Sequence, residues 1–305
     1  MRKLGRTITG MAAVLLPFEE DGRFSAGAYQ ACLQETYEAG LTPAVNMDTG
    51  YVNLLDDGEK ATILRLAKEV AAGRPFVAGA YIEGTEGDVV RLYRCEMERI
   101  VKHGGTPILF QTSRTHTLNS PEKAAVYAQS VRGFGKVYAF ELGRMFAPNG
   151  EIWNLETFER ILQIPEIAGV KHSSLDRQLE LQRLKIRDRV RPGFKIFTGN
   201  DLGIDMVEYG SDYLLGLAAF SPSKFAERDR LCAQNEPGYQ PVADALQFLG
   251  NVAFRAPIPA YKHSAAVFLN LLGKIPSDRT HPRSPTRPAW EADILRSCAE
   301  RLGLI

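Results

Sequence analysis

The chain has 305 residues, 45% of them hydrophobic, which is enough for one sizeable core of the kind a single barrel of about 250 residues carries. Its 37 basic and 36 acidic side chains leave a net charge of +1, so there is no bulk electrostatic case for nucleic acid or an anionic membrane surface as partner. Four scattered cysteines, Cys32, Cys95, Cys232 and Cys298, contain no Cys-x-x-Cys and argue against a disulfide framework or a thiolate zinc site; free thiols suit a reducing compartment.

The first residues are basic and then apolar, superficially like a secretory leader. The run Met11–Phe18 is short, ends in proline and acids and lacks a small-residue cleavage site, so it reads as a first strand. No stretch approaches the ~18 apolar residues of a membrane span. The expectation is a soluble, cytoplasmic protein.

Short apolar runs then alternate with longer amphipathic stretches. MAAVLL (11–16) precedes a helix over about 25–40, with Tyr29, Cys32, Leu33 and Tyr37 on one face. PAVNM (43–47) precedes a helix over about 58–72, striped by Ile63, Leu64, Ala67 and Val70. PFVAGAY (75–81) leads to a helix over about 87–103, and TPILF (106–110) to one after Pro121, where Asn119-Ser120-Pro121-Glu122 carries capping chemistry. KVYAFEL (136–142), IAGVKHS (167–173), FKIFTG (194–199) and DYLLGLA (212–218) complete eight runs, with helices expected through 179–185 and up to about Tyr209. The runs are continuous rather than alternating, as strands covered on both faces are. Eight strands alternating with helices predict an α/β chain, a (β/α)8 TIM barrel over residues 1–222, with a C-terminal helical extension over 223–305 broken by the Pro-rich stretch 276–288. An open doubly wound sheet would share the local pattern, but no phosphate-binding GxGxxG follows an early strand.

In such a barrel, chemistry sits at the C-terminal ends of the strands. The sixth run ends Gly169-Val170-Lys171-His172-Ser173-Ser174. A lysine buried there has its pKa lowered, and a neutral amine attacks a ketone or aldehyde to form an imine. The bland alternative is a structural lysine paired with a carboxylate.

That segment resembles the Gly-[Ile/Val]-Lys-[Asp/Glu]-[Ala/Ser]-[Ser/Thr] strand of the dihydrodipicolinate synthase/N-acetylneuraminate lyase family. The resemblance continues in order along the chain. Leu16-Pro17-Phe18 with Asp21-Gly22 is similar to the family opening, and Asp48-Thr49-Gly50 with Leu54 to its loop after strand two. Phe197-Thr198-Gly199-Asn200-Asp201, the segment from Ser211 to Pro222, and Pro257-Ile258-Pro259 with Lys262 follow at matching spacings. The resemblance implies a barrel with a helical tail, a homo-oligomer (dimer or tetramer), and a lyase that joins, cleaves or dehydrates a 2-oxo acid such as pyruvate, or a sugar-derived keto acid, through a lysine imine. It implies Lys171 as the imine lysine, and Thr49 and Gly50 as the loop holding the substrate carboxylate. Asp201 is read as a turn or cap residue.

Departures from the family are as informative. The expected strand-five tyrosine, the proton relay, falls on Phe140, and a phenyl ring moves no proton. Tyr138, two residues earlier and about 7 Å deeper, is one candidate substitute. Glu141 is another. The first threonine of the carboxylate loop is Asp48, a candidate general acid/base, and the loop glutamate is Tyr51. Arg114 after strand four and Arg144 after strand five are candidate anion clamps, each with an exposed-surface alternative. His172 is expected to pack between strand and helix. The histidines show no metal-ligand spacing, so neither metal nor cofactor is assigned. These departures argue against the lysine-biosynthesis reaction specifically. Two alternatives stand beside the lyase: a barrel that binds a small ligand without turnover, and a hydrolase using Asp48 and Glu141 as a carboxylate pair.

Overall fold

The computed structural model describes residues 2–305. Eight parallel strands close in sequence order into one barrel: β1 (Gly10–Ala13), β2 (Thr42–Val45), β3 (Val77–Ala80), β4 (Thr106–Phe110), β5 (Val137–Leu142), β6 (Ile167–Ser173), β7 (Lys195–Thr198) and β8 (Asp212–Leu215). The two reciprocal tests of closure are met, because β1 pairs with both β2 and β8. The strands are almost wholly buried, which is why their sequences run apolar without alternation. The TIM barrel expected from the rhythm is the observed fold.

The helices are α1 (Ala26–Glu38), α2 (Asp57–Ala71), α3 (Val89–Lys102), α4 (Ser120–Val131), α5 (Leu155–Leu162) and α6 (Arg177–Val190). Two start with reciprocal capping boxes, Asp56 with Glu59 and Asn119 with Glu122, so the orphan amides of the first turn are satisfied locally. Helix α5 has no counterpart among the sequence expectations. Its signal is short but present: Asn154 caps it, and Phe158, Ile161 and Leu162 form its buried stripe. After β7 the expected helix is only a 3-10 segment, Ile204–Tyr209, ended by Gly210 at φ 111°.

Four helices follow β8: α7 (Pro222–Gln234), α8 (Tyr239–Ala253), α9 (Tyr261–Leu271) and α10 (Glu291–Arg301). Helix α7 packs on α1 and β1 and so completes the ring around the barrel, while α8, α9 and α10 pack on one another. We therefore propose that the helical tail begins after α7, near residue 235, and not at 223. Between α9 and α10 the Pro-rich segment crosses toward the barrel mouth. All four cysteines are free. Among the described residues, no helix is long and apolar enough to cross a membrane.

Candidate active site

Lys171 is the fifth of seven residues in β6, in register with Phe140 on β5 and Phe197 on β7. It is 6% exposed. Its amine lies over the face of Phe140, 4.2 Å from the ring centre, and Phe140 in turn stands edge-on to Phe110 at 4.5 Å. Among the described residues no carboxylate pairs with the amine directly, so the bland alternative of a paired structural lysine is not what the geometry shows. Burial lowers its pKa from 10.5 to about 8, against the opposing pull of the Asp201 and Asp48 charges. Glycine is needed at Gly199, where a Cβ would lie 2.9 Å from Lys171 Cε.

Asp201 does two things at once. One carboxylate oxygen accepts the Leu217 amide at 2.8 Å, tying the β7 loop to the turn after β8, as a cap residue would. It is also buried, and burial pushes its pKa up to about 7, with Lys171 pulling the other way. A carboxyl group that titrates near neutrality beside a softened amine is a ready proton acceptor and donor.

The loop after β2 forms the other wall. Asp48–Gly50 is a 3-10 turn, bounded by Asn46 at φ 49° and Tyr51 at φ 56°, both left-handed without being glycine. Such backbone clusters where surrounding structure holds it, and it here turns Asp48 and Thr49 inward. Thr49 Oγ1 and the hydroxyl of Tyr261 are 2.7 Å apart, and the same phenol donates to Asp48 Oδ2 at 3.0 Å. Lys262 Nζ donates to both Asp48 oxygens at 3.1 Å. Gly216 permits this contact: a Cβ there would meet the Tyr261 ring at 3.0 Å and Thr49 Oγ1 at 3.1 Å. Burial pushes the Tyr261 phenol well above its ordinary range. Tyr261 was missed by sequence reasoning. Lys262 was matched to the family tail but given no role. Nothing local in the start of α9 announces that it reaches the loop after β2 at the barrel mouth.

A cavity of about 190 Å³ opens above this pair. Its lining includes Asp48 and Lys262, the rings and chains of Tyr81, Phe110, Leu142 and Phe146, the amides of Asn53, Gln111 and Asn149, and Arg283 with Ser284 from the Pro-rich segment. Lys171 does not line it. Its amine lies over Phe140, whose neighbour Phe110 lines the cavity, and it feels the charge of Asp48 in the same lining.

Several sequence expectations need correction. Tyr138 sits beside Gly169, two residues below Lys171, packed on Phe197 at 5.2 Å with the Lys136 ammonium 5.1 Å from its ring centre. It lies on the Lys136 side of the amine and does not line the cavity described above. The amide of Gly50 donates to Met47 O at 3.0 Å, and those of Tyr51 and Val52 are likewise taken by the loop, so the turn is not an open anion nest there. Arg114 donates to the carbonyls of Gly87, at 2.7 Å, and Thr85, stapling the β3–α3 loop. Arg144 is exposed and does not line the cavity. Phe140 touches the amine as an apolar wall and offers a substrate no polar contact.

Glu141 points the opposite way from Lys171, to the helix side of the barrel wall. His172 bridges it, with Nδ1 2.6 Å from Glu141 Oε1 and Nε2 2.6 Å from Ser174 Oγ. Arg183 from α6 donates to Glu141 Oε2 at 2.9 Å and to the Trp153 carbonyl at 2.8 Å. Burial raises the Glu141 pKa, but Arg183 and His172 outweigh it and hold the carboxylate below its ordinary value. Asp48 and Glu141 thus share no site, and the carboxylate-pair hydrolase falls.

Residues 31–277 match the family model described as protein of unknown function DUF993. The chain belongs to that family. This DUF993 member is also 26% identical over 196 residues to the 4-hydroxy-tetrahydrodipicolinate synthase of Pseudomonas aeruginosa, a match that spans 63% of each chain. Among solved structures it is similar to a monomeric dihydrodipicolinate synthase variant (TM-score 0.83, 16% identity, 98% of both chains). It is similar too to the dihydrodipicolinate synthase of Thermotoga maritima (0.82, 18%, 98% of this chain and all of that one). A third is a prophage protein of the dihydrodipicolinic acid synthase family from E. coli K12, solved in complex with pyruvate (0.81, 13%, 98% and 99%). At these identities the structures establish the fold. The DUF993 chain is thus similar in structure, and distantly in sequence, to the dihydrodipicolinate synthase family.

Proposed function

We propose that the protein is a lyase that works through an imine on Lys171 with a 2-oxo acid. The observation that carries this is the buried, carboxylate-free amine of Lys171, softened by burial and placed at the open end of the barrel. The neutral amine adds to the ketone carbon, water leaves, and the protonated imine draws electrons from the bond beta to it, so that a carbon–carbon or carbon–oxygen bond there is made or broken. Asp201, whose raised pKa keeps it partly protonated near neutrality, donates the proton with which the carbinolamine hydroxyl leaves as water. Tyr261, bonded to Thr49 and Asp48, supplies the phenol that Phe140 does not. Thr49 remains the candidate hydroxyl for the substrate carboxylate.

The similarity to a protein solved with pyruvate supports a short 2-oxo acid. A homo-oligomer and a cytoplasmic setting, both expected from sequence, belong to the same proposal. Phe140 favours one other reading, a barrel that binds the acid without turning it over. Borohydride reduction in the presence of pyruvate, followed by intact mass, tests the proposal. A mass gain absent from Lys171→Ala is expected; a folded protein that gains no mass with any 2-oxo acid overturns it.

A further inference from the structure

The segment between α9 and α10 is fastened across the barrel mouth at several points. Ser277 Oγ donates to the Phe18 carbonyl at 2.7 Å. The His281 ring packs on Tyr51 and Phe18, with centres 5.9 and 6.3 Å apart. Arg283 donates to the Leu54 carbonyl. The loops after β1 and β2 therefore hold a strap whose next residues, Arg283 and Ser284, face the cavity. Tyr51, where the resembled family has a glutamate, is one of the clasps.

The charges around the cavity do not balance. Its lining has one acid, Asp48, already held by Lys262, and a second cation, Arg283, bonded to a carbonyl and to no carboxylate among the described residues. The Ser284 hydroxyl is buried and has no hydrogen-bond partner, which is costly unless a ligand supplies one. The rest of the lining is mixed, with apolar side chains such as Phe110, Leu142 and Phe146 beside the neutral amides of Asn53, Gln111 and Asn149. At about 190 Å³ the space holds roughly six water volumes of about 30 Å³ each, so it fits a compact acid and excludes a nucleotide.

We infer that Arg283 and Ser284 form a subsite for the distal carboxylate of the substrate, so that the acid bound at Lys171 is a short dicarboxylic 2-oxo acid. This rests on the imine reading above for the identity of the proximal end only. The guanidinium supplies the planar pair of donors a carboxylate takes, and the hydroxyl of Ser284 the third bond. The apolar side chains of the lining, Phe110, Leu142 and Phe146, offer contacts to the methylenes.

The test compares 2-oxoglutarate with pyruvate in borohydride trapping of the full chain. The half-saturating concentration for 2-oxoglutarate should lie at least about tenfold below that for pyruvate, the scale of one hydrogen-bonded charge. Arg283→Ala, an exposed position, should abolish that advantage by weakening 2-oxoglutarate trapping at least about tenfold more than pyruvate trapping, while Arg283→Lys keeps part of it. Equal trapping of both acids in the unsubstituted protein, or an advantage that survives Arg283→Ala, overturns the subsite and leaves the imine reading standing. Glutarate has no ketone and separates the two further. Stabilisation of the unsubstituted protein by glutarate, absent in Arg283→Ala, supports the subsite even if no acid is trapped; no stabilisation overturns it.

Discussion

Lys262 grips both carboxylate oxygens of Asp48 at 3.1 Å, so the acid that replaces a threonine in the loop after β2 arrives with its own counter-ion from α9. An unpaired acid would repel a substrate carboxylate; a paired one does not, and it anchors the tail to the barrel. Both side chains are largely buried, so removing one partner strands the other. Asp48→Asn and Lys262→Met should each destabilise by about 3 kcal/mol, and the double substitution by clearly less than their sum. Urea titration of the three variants checks the coupling. Additive losses would show that the pair is not a unit.

The pH dependence of trapping follows from Lys171. Its folded pKa is about 8, below the ordinary 10.5, so the reactive neutral amine grows in through pH 7–9 and trapping should rise with a midpoint near 8. The Asp201 charge raises that pKa, so Asp201→Asn should move the midpoint to lower pH. Trapping rates across a pH series decide it; an upward shift contradicts the assignment.

Stability should show the same pair with opposite slopes. Asp201 has a folded pKa of about 7, above its ordinary 3.8, so between about pH 4 and 7 the folded state binds the extra proton and stability falls as pH rises. Lys171 has a depressed folded pKa, so between about 8 and 10.5 the unfolded chain binds the extra proton and stability rises with pH. Urea midpoints of Asp201→Asn should therefore be flatter than the unsubstituted protein over the acidic window, and their alkaline rise should begin at a lower pH.

Glu141 offers a contrast between structure and chemistry. Arg183 and His172 are fully buried with it on the helix side of the wall. Glu141→Ala leaves a buried guanidinium without its carboxylate and should lower stability by about 3–5 kcal/mol. Below the unfolding transition, the pH midpoint for trapping at Lys171 should be unchanged, because the network lies across the strand from the amine. A shifted midpoint would draw Glu141 into the site.

These residues also show what the sequence discloses. Strand and helix rhythm revealed the barrel because burial on both faces leaves a strong local signature, and β4 and β6 were located to the residue. Lys171 was legible from its place near the end of an apolar run. Tyr138, Arg114 and Arg144 failed for a different reason: linear position says which strand or loop carries a side chain, but not the depth or direction in which it points. Tyr261 and Arg283 are ninety or more residues beyond Lys171, and only the path of the tail brings them over the mouth. The 3-10 turn at Asp48–Gly50 uses amides that a motif reading leaves free.

Tyr261→Phe isolates the proposed proton relay. The phenol joins Thr49 and Asp48, and its ring stacks on Phe254 at 4.3 Å, so loss of the hydroxyl alone should keep the packing. Imine formation needs the amine of Lys171 and should persist, as read by borohydride trapping. Proton removal at the carbon beside the imine needs a relay, and its loss should slow that step by about 10²–10⁴-fold. Exchange of the pyruvate methyl protons in deuterated water, followed by NMR, reports that step directly. Trapping retained with exchange lost places the phenol in proton transfer. Trapping and exchange both at the unsubstituted level would remove Tyr261 from the chemistry and leave Asp201 as the remaining proton carrier beside the amine.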